Sequence, residues 1–293
     1  MKRPTRFYLQ LAFTLGVCAF LLVPVVLSIL AGVTENFFIG IKSGFTLRWV
    51  VEVWTLYHKT IFLSIGIALA TLFVTLLIGV PTAYVLARRQ SRLTRAIEEL
   101  LVLPVAVPGL ATALALILLY GQFSGFRISW TFILVGHVLF TLPFMVRSVL
   151  AVMGAIDLKT LEDAAASLGA TFTQRFFHVI LPNCRQGILA GALMVVTLSM
   201  GEFNITWMLH TPLTMTLPVG LADSYASMRL EIGSAYTIVF FIMIIPLLIA
   251  MQWMSEPAKK KTALEVDPLS PVRPELVEGP RASSPSTSSG RTG

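Results

Sequence analysis

Six stretches of this chain are each about twenty residues long and almost uninterrupted by charge, which is the length a helix needs to cross the hydrocarbon core of a bilayer. They run approximately over residues 9–30, 61–80 (extendable to 87), 100–120, 128–146, 187–209 and 235–253. The apolar residues are continuous rather than alternating, so the stretches predict helices and not the strands of a transmembrane barrel. Composition agrees. Charged residues are 13% of the chain and mean hydropathy is +0.81, whereas a soluble domain carries about a quarter charged residues. The surplus apolar surface has no place in a soluble core and must face lipid. The expected fold class is therefore an all-α membrane protein: a short segment over 1–8, a transmembrane domain over 9–254 with six helices, and a polar tail over 255–293.

Orientation follows from where the cations fall. Lys2, Arg3, Arg6, Arg88, Arg89, Arg92, Arg95, Arg147, Lys159, Arg175, Arg185 and Lys259 to Lys261 make fourteen on one side of the predicted bundle. Lys42, Arg48, Lys59, Arg127 and Arg229 make five on the other. The positive-inside rule places both termini in the cytoplasm. The same clustering explains the formal charge of +7 by membrane topology, without a nucleic-acid partner. A cleaved signal peptide is the alternative reading of the first stretch, but its apolar run exceeds the usual h-region. The two cysteines, Cys18 in the first stretch and Cys184 in a predicted cytoplasmic loop, lie on different levels and predict no disulfide. No His, Cys, Asp or Glu set has metal-ligand spacing.

Several details add to this outline. The segment from 31 to 58 is expected to be the longest extracytoplasmic loop, with Phe37, Phe38, Trp49 and Trp54 either at the lipid interface, the favoured reading, or in a docking surface. The segment 211–234 is expected to fold back as a short amphipathic helix. Residues 103–109, with Pro104 and Pro108, mark the most disturbed of the six stretches, since each proline removes a backbone hydrogen bond. The tail is rich in Pro, Ser, Thr and Gly from 268 onward and is expected to be disordered. Its segments 271–279 and 285–293 are compatible with the two arms of one DNA inverted repeat, and it is assigned no role in function.

The loop between the fourth and fifth stretches, about 155–185, carries the most specific pattern. Asp163-Ala164-Ala165 is followed after three residues by Gly169, and after nine more by Val179-Ile180-Leu181-Pro182. This resembles the EAA loop of the permeases of binding-protein-dependent ABC importers: Glu-Ala-Ala, three residues, Gly, nine residues, Ile, one residue, Leu-Pro. Asp163 stands where that pattern has glutamate and Val179 where it has isoleucine, while Glu162 keeps the local acidity. By the residues alone, the small alanines permit close approach by a partner, Gly169 lets the chain leave a helix in a left-handed conformation, and Pro182 marks the return to the membrane. The resemblance implies more: Glu162, Asp163, Ala164, Ala165, Gly169, Val179, Leu181 and Pro182 would form a coupling helix that docks on a cytoplasmic ATPase dimer. It further implies a second permease subunit, a periplasmic substrate-binding protein and a place in the bacterial inner membrane. No phosphate-binding Gly-x-x-x-x-Gly-Lys-Ser/Thr loop occurs, so ATP is expected on the partner and no cofactor on this chain.

Glu202, in Gly201-Glu202-Phe203-Asn204, is the acid expected deepest inside a span. Such a group faces either a cavity or a hydrogen-bonding partner, and Glu202 with Asn204 is the candidate pathway or gate. The stretch 201–236 resembles permeases for polyamines or 2-aminoethylphosphonate, with sulfate, molybdate or iron as other cargo candidates. His137 is expected to be a packing residue, as are Met200, Met208 and Met215; His178 and His210 fall in loops. Two other classes would leave different marks. A secondary transporter would show internal repeats and several intramembrane charges, and a membrane-embedded enzyme would show a catalytic cluster; neither signature is evident.

Overall fold

The protein is described here by a computed structural model covering residues 5–89 and 91–255. In chain order its helices are α1 (Thr5–Gly32), α2 (Arg48–Arg88), α3 (Arg92–Ala106), α4 (Gly109–Tyr120), α5 (Ser124–Arg127), α6 (Trp130–Ala155), α7 (Leu158–Ser167), α8 (Phe172–Gln174), α9 (Leu181–Asn183), α10 (Arg185–Gly201), α11 (Asn204–Leu209), α12 (Leu217–Ala226) and α13 (Leu230–Ser255). A π-helical turn, Arg175–Ile180, joins α8 to α9. The expectations for the tail fall outside the described residues, apart from Ser255 at the end of α13.

Four helices, α1, α2, α6 and α13, are long and apolar enough to cross a membrane unaided. Two bent pairs bring the number to six when each pair counts as one span: α3 with α4, bent by 102°, and Phe172–Asn183 with α10, bent by 70°. The expected all-α membrane fold is present, but the third and fifth stretches are not simple helices. The third breaks at Val107–Pro108. Val107 is extended, with ψ 133, as a residue before proline tends to be, and α4 starts directly after Pro108. At twelve residues α4 covers only about 18 Å. The fifth stretch, expected as one helix over 187–209, ends as a helix at Gly201 and resumes as α11 at Asn204.

The second stretch is longer than its apolar run. Residues 48–58, expected in the outer loop, are the first three turns of α2, whose 41 residues extend about 60 Å. Tertiary packing explains the difference. Trp49, Val50, Val53 and Tyr57 lie on one helical face against Leu217, Ile232 and Tyr236, and the Trp49 indole donates to the Thr34 carbonyl at 3.0 Å. One residue, Tyr57, leaves helical geometry (φ −122, ψ 15) where the outer turns meet the membrane part. Of the two tryptophans in these turns, Trp54 is exposed while Trp49 packs inward. Over 211–234 the expected short helix is present as α12, whose Leu217, Val219, Gly220 and Ser224 are buried.

Helices α2, α6 and α10 form the centre. Val80, Ala83 and Tyr84 pack with Met145, Val149, Ala192 and Val195 in one buried cluster at the end of α2 that carries Arg88. By contrast α1 is exposed along most of its length, and only its last turns pack on α13, where the Ser28 hydroxyl donates to Thr237 Oγ1 at 3.4 Å and Gly32 lies against Ser234 and Ala235.

Candidate coupling loop and interrupted fifth span

The loop that follows α6 is built by local hydrogen bonds at each corner. Asp157 opens α7: its carboxylate accepts the Thr160 N–H at 3.2 Å and the Thr160 hydroxyl at 2.6 Å. These bonds hold the Asp157 carboxyl below its ordinary range. At the other end the Ala170 N–H donates to the Ala165 carbonyl at 3.1 Å and the Gly169 N–H to Ala166 at 2.9 Å. This pair is the Schellman arrangement, which needs a left-handed residue after the helix. Gly169 supplies it, with φ +81, as the sequence predicts. Thr171 and Gln174 then cap the next helix reciprocally, and Asn183 donates to the Val179 carbonyl at 2.7 Å before the chain turns at the buried Cys184 into α10.

Within α7 the two neighbouring acids diverge. Glu162 points inward and is only 3% exposed; its Oε2 lies 3.1 Å from Arg88 Nε and its Oε1 accepts a short hydrogen bond from the Tyr84 hydroxyl. Arg88 also donates to that hydroxyl at 3.2 Å, closing a triangle. The Tyr84 ring meets Phe176 edge-on at 5.4 Å and Phe172 at 6.1 Å. The membrane end of α2 is thus bolted to both limbs of the loop. Asp163, one residue on and so about 100° around the helix, is exposed with Ala164, Ala166 and Leu168, the last at 88%. Ala165, Val179 and Leu181 are half-buried, Pro182 is exposed, and the buried apolar anchor beyond the π turn is Ile180 rather than Val179. Arg88, which in the sequence is one cation in a charge count, here pairs with Glu162 and Tyr84, a role the count alone could not reveal. The legible sign was its spacing of four from Tyr84, which puts both on one helical face.

Glu202 is not inside a helix but in the gap between α10 and α11, and it is buried. Both its carboxylate oxygens accept the Ile205 N–H at 3.0 Å, and Oε2 also accepts the Thr206 N–H at 3.0 Å. It satisfies the start of α11. Arg127 closes the other end, donating to the Leu209 carbonyl at 2.7 Å and to Met208 at 3.4 Å. A short helix whose N-terminus meets an anion and whose C-terminus meets a cation is favoured by its own dipole. Close packing does the rest. A Cβ at Gly136 would come within 2.6 Å of Ile205 Cγ2, and one at Gly109 within 3.1 Å of Asn204 Cβ, so α6 and α4 admit α11 only because both positions lack side chains. His137, buried on α6, is hydrogen-bonded through Nδ1 to Ser199 Oγ and through Nε2 to Thr206 Oγ1, each at 2.8 Å. Asn204 separates from Glu202: it is exposed, as are Thr197, Gly201 and Trp207.

Comparison with known proteins bears on both regions. The family described as binding-protein-dependent transport system inner membrane component matches residues 76–258. The sulfate transport system permease protein CysW of Synechocystis sp. is 27% identical over 68% of this chain and 77% of its own length. The molybdenum transport system permease protein ModB of Haemophilus influenzae is 30% identical over 68% of this chain and 93% of its own. The spermidine/putrescine permease protein PotC of the same organism is 26% identical over 69% and 79%. Among solved structures, a bacterial ABC transporter involved in the import of the acidic polysaccharide alginate aligns at 15% identity with a TM-score of 0.66, over 87% of this chain and 97% of that one. The inward-facing MetNI methionine ABC transporter aligns at 16% with a TM-score of 0.57, over 70% and 94%. These two likenesses concern the fold.

Proposed function

The chain belongs to the family of binding-protein-dependent transport system inner membrane components, and from that premise we propose that it passes a small solute through the membrane by alternating access, driven by ATP hydrolysis on a separate ATPase dimer. One observation carries the assignment of the coupling surface. Helix α7 turns Asp163, Ala164, Ala166 and Leu168 outward while Glu162 fixes its opposite face to Tyr84 and Arg88 of α2. An exposed leucine between small residues suits a partner groove, and a pinned inner face lets a push on α7 reach α2 without slack. Both termini are cytoplasmic in this reading. A second permease subunit and a periplasmic binding protein complete the assembly, and the face bearing Thr197, Gly201, Asn204 and Trp207 lines the path.

The carboxylate of Glu202 is taken up by backbone donors and does not reach the path, so it selects neither cations nor anions. The cargo candidates remain polyamines and 2-aminoethylphosphonate, with sulfate, molybdate and iron beside them; relatives are named for sulfate, molybdenum and spermidine/putrescine. Titrating the binding protein that co-purifies with the complex with each solute separates them.

The test of the coupling surface is a tagged pull-down from native membranes with mass spectrometry. The unaltered chain is expected to recover a phosphate-loop ATPase, and Leu168→Asp or Asp163→Arg to lose it while the chain still inserts. Gly169→Asp, which places a side chain at φ +81, is expected to uncouple or disassemble the complex. Undiminished ATPase recovery and transport in all three variants would remove α7 from the interface.

A further inference from the structure

The interruption of the fifth span is bridged by one side chain from outside it. Ser199 belongs to α10 and Thr206 to α11, and the two ring nitrogens of His137 reach one each, at 2.8 Å. The imidazole is 2% exposed and both hydroxyls are buried, so no water competes for these bonds and losing one leaves a buried polar group unmatched. Backbone contacts at the gap are few: the Glu202 N–H reaches the Ser199 carbonyl at a long 3.4 Å. Phe203 carries φ −110 and ψ −47 next to an extended Glu202, so the chain here has no continuous helix to set its direction.

We propose that His137 is a positioning residue for transport: by tying α10 to α11 it sets the angle at the interruption, and so fixes where Asn204 and Trp207 stand on the path. The inference rests on the reading that the exposed face of the fifth span lines that path. Thr206 extends the tie, since its hydroxyl also lies 3.3 Å from Glu202 Oε2, so the imidazole steadies the side chain that caps α11 as well as the helix itself. Gly136, beside His137, brings Ile205 and Leu209 against the same turn of α6, as Gly109 brings Asn204 and Ile205 against α4, so α11 is packed on α4 and α6 and is not a continuation of α10.

The test uses the full complex in native membranes with Asn204→Cys, labelled by a membrane-impermeant maleimide and read at residue 204 by mass spectrometry. Labelling is compared without nucleotide and with ATP plus vanadate. The parent is expected to show different rates in the two states. With His137→Ala the ratio of rates is expected to shift by about tenfold, the equivalent of losing two hydrogen bonds. His137→Gln, whose amide can bond both hydroxyls, is expected to restore it. Equal rates in the parent would sink the path reading itself. A parent ratio that His137→Ala leaves unchanged would overturn the positioning role, as would failure of His137→Gln to restore a ratio that His137→Ala had shifted. If His137→Ala does not insert, Ser199→Ala decides: it cuts one arm of the tie with a small change in volume, and an unaltered ratio there overturns the proposal.

Discussion

Two buried glutamates of this chain solve the same problem in different ways. Glu162, at the end of the bundle that carries Arg88 and Tyr84, meets a guanidinium and a phenol. Glu202, in the interrupted fifth span, has no cation within ion-pair distance among the described residues and instead accepts backbone N–H groups from the turn it starts. Location accounts for the contrast. Arg88 is half exposed, so its own charge stays largely hydrated while it neutralises Glu162. A second charge beside Glu202 would have to be desolvated fully, which is costly even in a pair. Helix N–H groups need acceptors in any case. The first arrangement joins two elements that a partner could move together; the second stabilises a single element in place.

The largest effect is expected at Glu202. Replacement by alanine leaves the Ile205 and Thr206 N–H groups without an acceptor in an apolar surrounding, and a loss of about 3 kcal/mol is expected. Thermal unfolding in detergent measures it, and Glu202→Gln should recover a part. A loss no greater than that of an exposed surface substitution would mean that α11 does not depend on this carboxylate.

Arg88→Ala is expected to do less, about 1 kcal/mol, because the arginine is half in solvent. A double-mutant cycle with Glu162→Gln isolates the pair, and additive effects would show that the two do not act together. Ionic strength sharpens the contrast further. Salt should loosen the Glu162 contact, which lies beside a solvated charge, and leave Glu202 alone; hydrogen exchange at residues 158–167 and 204–209 reports each site, and equal responses would erase the distinction.

The smallest effect concerns Asp157. Hydrogen bonds from Thr160 lower the folded-state pKa of Asp157, so its capping contribution is present above the ordinary carboxylate range and disappears as pH falls through the lowered value. Thr160→Ala should raise that midpoint. Exchange protection at residue 160 followed against pH gives the answer, and a midpoint unmoved by the substitution would exclude the hydroxyl as the cause.

Much of this architecture was legible in the amino-acid order because the length needed to cross a membrane acts on whole segments. The break near Pro108 was visible because proline is a local cause, and the turn at Gly169 because left-handed backbone favours glycine. The break at Glu202 was not. The run 187–209 is apolar enough for one helix, and the interruption depends, besides the Glu202 carboxylate, on glycines, a histidine and an arginine contributed by α4, α5 and α6 that no window of neighbouring residues contains. The inward turn of Glu162 and outward turn of Asp163 were hidden likewise, since adjacent acids look alike until Tyr84 and Arg88 select one of them. The outer turns of α2 were missed because their burial comes from α12 and α13, far away in the chain.

The brevity of α11 has a consequence for how the protein is made. Six residues form too few internal bonds to hold a helix by themselves, so this element waits for its surroundings. Those surroundings, Gly109, Arg127, Gly136 and His137, all leave the ribosome earlier. Segment 204–209 should therefore acquire its shape only after the hairpin of α4 and α6 is in the bilayer. An Arg127→Ala chain with every long helix inserted but 204–209 still open to exchange would mark that order, and full protection there would contradict it. Quality control in the membrane would then meet an unfinished piece within the fifth span rather than at either end of the chain.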